Sequence, residues 1–210
     1  MLLLITGASG VGKSTIRTAV TPELSPEVEC VELKDLGLLS TPRTRGWRQQ
    51  LAETAVRRAV ELQAGGRHLL LAGDPVAAVE VVAAPSAPQL DALAVCLLDA
   101  SAEAQAQRLA GRGDDPALLV HHQAFGEWMR HQATDPLHML HVVSDSGWEE
   151  MRWESLDQIG DGWRMHTIDT SHLSRQAVAG LVIEWCRAAL AGDAPVMQIK
   201  SAAIREVRDL

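Results

Sequence analysis

The chain begins Leu2-Leu-Leu-Ile-Thr6 and passes at once into Gly7-Ala-Ser-Gly-Val-Gly12-Lys13-Ser14, and this junction restricts the fold more than any other feature. The octapeptide fits Gly-x4-Gly-Lys-Ser/Thr at every fixed position. A buried-type strand precedes it and a helical pattern follows, which is the context the pattern requires. Glycines let the backbone curl until successive amides face one concavity, and the following helix N-terminus adds partial positive charge. Such a cradle suits a triphosphate. Gly7, Ser9, Gly10, Val11 and Gly12 would hold it by backbone, with Lys13 on the β- and γ-phosphates. The Ser14 hydroxyl would reach Mg²⁺, and Thr15 the α-phosphate side. ATP and Mg²⁺ are the cofactors to expect.

Beyond the loop, apolar runs at 28–33, 68–72, 94–98 and 163–168 read as further strands. Helical patterns at 13–20, 47–63, 102–109, 117–133 and 173–190 alternate with them. Thr21-Pro22 is expected to stop the first helix, and 76–88 reads as an apolar loop. Residues 134–162, broken by Pro136, Gly147, Gly160 and Gly162, give no clear element. Alternation of this kind implies right-handed crossovers and a parallel sheet. The expected fold is α/β, a P-loop NTPase-type three-layer arrangement with a five-stranded parallel sheet and a small helical lid. One domain spans 1–192 with its lid at about 108–135, and 193–210 form a tail.

A formal charge of −8 argues against a nucleic-acid partner, whose binders are usually basic. No apolar run is long enough for a bilayer, so no membrane partner and a cytoplasmic location are expected. Cys30, Cys96 and Cys186 stand apart among apolar neighbours and read as buried free thiols. The histidines between His121 and His141 show no spacing diagnostic of zinc, and the tryptophans read as packing groups. A monomer or homodimer is expected.

The order of elements from residue 1 to about 190 carries a resemblance. Together with the P-loop, Asp35 at a strand end, the Leu97-Leu-Asp-Ala-Ser101 segment and Arg108-Leu-Ala-Gly-Arg112, it resembles the nucleoside-monophosphate-kinase-like group. Within that group it is similar to gluconate kinase, shikimate kinase and chloramphenicol phosphotransferase. The resemblance implies lid arginines over the phosphates at Arg108 and Arg112, and an acceptor-orienting or base carboxylate at Asp35. Arg43, Arg45 and Arg48 form a basic cluster that could bind an anionic acceptor group. Asp74, in a Gly-Asp-Pro turn, could hold Mg²⁺ through water. Asp99 reads as part of a helix cap. The function to expect is Mg-ATP-dependent transfer of a γ-phosphate to a small-molecule hydroxyl. An antibiotic-modifying kinase, a nucleoside or nucleotide kinase, and a non-catalytic nucleotide-binding module are the alternatives. No Asn-Lys-x-Asp sequence supports a GTPase switch.

Overall fold

A computed structural model describes residues 1–36, 44–73 and 76–199. Five strands, β1 (Leu2–Thr6), β2 (Val28–Val31), β3 (His68–Leu71), β4 (Leu93–Asp99) and β5 (His166–Asp169), form one sheet in the order β2-β3-β1-β4-β5. Every pairing is parallel, as in Leu2↔Leu69 and Ile5↔Cys96. The chain therefore has the α/β architecture and five-stranded parallel sheet that the strand–helix alternation implies.

The period of two in a strand divides β1, β3 and β4 between two cores. Leu2, Leu4, Leu69, Leu71, Leu93, Val95 and Leu97 face one layer, with side chains of α2 (Arg45–Ala64), α3 (Ala78–Val82), α5 (Leu119–Gln132) and α7 (Ser155–Ile159). Leu3, Ile5, Leu70, Ala94, Cys96 and Leu98 face the other, against α1 (Lys13–Leu24) and α8 (Arg175–Ala191). The central strand's Leu2, Leu3 and Ile5 are fully buried. Each contributes about 1.5–3 kcal/mol by leaving water, so the strand that launches the P-loop is anchored on both faces.

Three sequence expectations change. The first helix runs through Pro22 to Leu24, because Val20 and Leu24 are both buried in the second core and their burial outweighs one missing amide bond. The supposed loop at 76–88 contains α3, whose residues are buried all round and so carry no helical period. Residues 134–162 contain α6 (His141–Ser144) and α7. They are held by side-chain to backbone bonds: fully buried Gln49 donates to the Val143 carbonyl and accepts from the Trp148 amide. Trp163 likewise donates its indole N–H to the Gln132 carbonyl.

Trp128, Trp163 and Trp185 are buried in the cores. Cys96 and Cys186 are buried free thiols, and burial pushes the Cys186 thiol up to about 12. Cys30 is only half-buried. The part of the tail that is described is docked, for Met197 is fully buried and exchanges two backbone bonds with Leu93. No helix among the described residues is long and apolar enough to cross a membrane.

Candidate active site

The P-loop turns at the carboxyl end of the central strand. Gly7, Gly10 and Gly12 hold φ of +142°, +86° and +102°, conformations that cost other residues free energy. Gly7 is the most constrained, since a Cβ there would stand 2.3 Å from the Leu98 carbonyl oxygen of β4. Gly12 caps α1 in a left-handed conformation, with no side-chain bond at the helix start. Lys13 is 5% exposed, and its ammonium donates to the Gly7 and Ala8 carbonyls at 2.7 Å each.

Three elements brace this loop. Buried Gln105, on α4 (Ala102–Arg112), donates to the Ser9 carbonyl at 2.8 Å and to the His122 carbonyl at 3.3 Å. Thr170, after β5, is also buried, and its hydroxyl lies against the Asp99 and Val11 carbonyls. Arg108 donates to the Thr170 hydroxyl at 2.8 Å and its carbonyl at 2.5 Å. On α5, Gly126 faces Ala8 closely enough that a Cβ would meet the alanine methyl at 3.4 Å. Ser101 caps α4 through the Ala104 amide, while Asp99 accepts from Arg130 of α5.

The loop opens on a cleft of about 670 Å³. Arg108 and Arg112, four residues apart on α4, both line it, as does Arg175 from the first turn of α8. Arg112 is also paired with Asp114. Leu173 and Val178 give the cleft an apolar wall beside these arginines. The cleft thus has the Gly7–Ser14 loop at its centre, after the middle strand, and a partly apolar, cationic rim on its β5 side.

Among the described residues, the carboxylate that lines this cleft is Glu32, which sequence reasoning passed over. It follows the last residue of β2 and is 3% exposed. Arg17 approaches it at 3.2 Å and Lys34 at 2.5 Å, and Ser14 also hydrogen-bonds to it. Burial pushes its carboxyl up, but the bonds from Lys34, Ser14 and Arg17 outweigh that and hold it below its ordinary value near 4.5. Gly73, after β3, makes room for it, since a Cβ there would fall 2.6 Å from the Glu32 side chain. Asp35 lies in the turn Leu33–Leu36, is exposed, and accepts from the Glu32 amide at 2.9 Å. It does not line the cleft. The available signal was position: in an open α/β sheet ligands collect at strand carboxyl ends, and Glu32 is nearer that end than Asp35.

Arg45 and Arg48 lie away from the P-loop cleft. Arg48 donates twice to Glu80, which is fully buried and also accepts from the Ala77 amide. Arg45 donates to the Asp145 carbonyl. Arg43 and Asp74 lie outside the described residues. A second cleft, of about 590 Å³, lies on the face of α5 turned away from Gly126, between Trp128, the stacked His131 and His138, and Met139. It shares no lining residue with the first.

No protein-family model matches the chain, and no curated protein matches it in sequence. Among solved structures, an unliganded sugar kinase from Janibacter sp. aligns with a TM-score of 0.57 at 16% identity, covering 95% of this chain and 98% of that one. An uncharacterised protein from Eubacterium ventriosum aligns at 0.47 and 10% identity, covering 90% of this chain and 98% of its own. A candidate kinase from Chloroflexus aurantiacus aligns at 0.47 and 15%, covering 92% and 97%. At 16% identity the likeness to the sugar kinase is one of fold alone.

Proposed function

We propose that the protein is a Mg²⁺- and ATP-dependent phosphotransferase that moves the γ-phosphate to a hydroxyl of a small molecule. The observation that carries the reading is the convergence, in one cleft, of a braced P-loop, Lys13, two arginines of α4 and a buried carboxylate. Phosphoryl transfer needs little covalent chemistry from a protein, mainly positioning and stabilisation of charge. The P-loop amides and Lys13 take the β- and γ-phosphates. Arg108 and Arg112 cover the transferring group, where planar guanidinium matches phosphate oxygens. Leu173, Val178 and Arg175 offer a wall for the base.

The donor set near Ser14 is hydroxyl and carboxylate oxygen, which suits a hard cation. Ser14 would ligate Mg²⁺, with Glu32 close enough to orient a water on it, and the ion would neutralise charge on the phosphates. Asp74, which follows Gly73 in the sequence, is a further candidate. Glu32 is the proposed base in place of Asp35. Its carboxylate takes the acceptor's hydroxyl proton as that oxygen bonds to the γ-phosphorus. The β–γ bridging oxygen leaves with its electron pair, and ADP departs. Asp35 shapes the turn that presents Glu32.

The test is ADP release by purified protein with MgATP across sugars, sugar acids, nucleosides and aminocyclitol antibiotics, with Lys13→Ala as control. Release stimulated by one chemical class and absent in the control supports the reading. Tight MgATP binding with flat release across the panel counts against transfer and favours a binding module.

A further inference from the structure

Among the described residues that line the P-loop cleft, five carry positive charge: Lys13, Lys34, Arg108, Arg112 and Arg175. One carboxylate, Glu32, faces them. A magnesium-bound triphosphate brings roughly two negative charges. The cleft is therefore more cationic than its nucleotide requires, in a chain whose formal charge is −8. That surplus has a location. Arg108 and Arg175 stand with the β5–α8 side of the cleft, through Thr170 in one case and as part of α8 in the other. Lys13 is sunk in the P-loop and Arg112 is paired with Asp114. Lys34 stands on the opposite, β2 side of the sheet, two residues beyond Glu32, whose carboxylate it meets.

Lys34 and Arg17 hold Glu32 in different ways. Arg17 does not line the cleft, and its side chain is 21% exposed. Lys34 does line it, with a side chain 58% exposed. A pair with one partner in open solvent is weak, and a lysine stem is long and flexible. Lys34 can therefore leave Glu32 for a ligand while Arg17 and Ser14 keep the carboxylate in place. An acceptor hydroxyl at Glu32 sits within a few ångströms of that ammonium, and an anion on the acceptor would replace Glu32 as its partner.

We propose that Lys34 selects an acceptor carrying an anionic group, a carboxylate or a phosphate monoester, near the hydroxyl to be phosphorylated. This rests on the phosphotransferase reading and moves anion recognition from Arg45 and Arg48, which serve other contacts, to Lys34. A single charge-assisted hydrogen bond predicts an effect of about 10- to 100-fold on acceptor binding.

The experiment uses the full chain and matched acceptors: glucose, gluconate and glucose 6-phosphate, then glycerol, glycerate and glycerol 3-phosphate. Binding is followed by calorimetry in the presence of Mg²⁺ and a non-hydrolysable ATP analogue, and turnover by ADP release with MgATP. Wild type should bind at least one anionic member of a set about 10-fold or more tighter than its neutral member. Lys34→Ala should remove that preference, Lys34→Arg should keep most of it, and both should bind the analogue within about 2-fold of wild type. Which anionic member binds separates carboxylate from phosphate. Equal or better binding of neutral members, binding of no anionic member, or a preference that survives Lys34→Ala overturns the proposal. Anion-dependent binding lost in Lys34→Ala without ADP release would instead leave this selection standing and remove the transfer reaction.

Discussion

The two ends of the cleft are built on different principles. The phosphate end is braced before any ligand arrives: Gln105 holds Ser9, Thr170 holds Val11, and Gly126 packs on Ala8. Its geometry is fixed by backbone and by side chains with little freedom, so the proposed nucleotide would meet little reorganisation there. The end proposed for the acceptor is set by charge, with Glu32 shared among Arg17, Lys34 and Ser14. Its partners can be exchanged. A cleft of this kind holds one ligand rigidly and can adapt the other to changes in a few residues.

The largest break in that comparison comes from Lys13→Ala, which should lower kcat/KM by on the order of 10³-fold or more in an ADP-release assay, an effect far larger than the about 1–2 kcal/mol that its lost carbonyl bonds should cost in urea unfolding. Arg48→Ala should do the reverse. It strands the buried Glu80 carboxylate and should cost about 3 kcal/mol in urea unfolding, with nucleotide affinity held within about 2-fold. Gln105→Ala removes a buried brace and should cost about 1–2 kcal/mol while weakening MgATP binding, read by calorimetry.

Smaller still is the pH response of Glu32. Its folded value lies below the ordinary one near 4.5, so its bonds stabilise the fold fully above that pH and are lost as the pH falls below it. Thermal unfolding between about pH 5 and pH 3 should therefore fall less steeply in Glu32→Gln than in wild type.

The geometry of the Gly7–Ser14 loop was legible because it is contiguous: one strand, one loop and one helix start carry it, and the helical spacing of Arg108 and Arg112 puts both on the cleft. The acceptor end was not. Glu32 and Asp35 are three residues apart, and only the point where β2 stops tells which carboxylate is turned to the P-loop and which to its own turn. Arg48 reads as a free cation until folding brings Glu80, hidden in an apolar run, against it. The segment around Trp148 is equally opaque, because Gln49 pins it from about a hundred residues away and leaves no period behind.

The most direct measurement compares Glu32→Gln with Asp35→Asn, using acceptor-stimulated ADP release with MgATP binding verified in both. The account predicts that Glu32→Gln loses about 10²-fold or more in kcat while Asp35→Asn stays within about 3-fold of wild type. Full activity in Glu32→Gln, or a loss confined to Asp35→Asn, would contradict it.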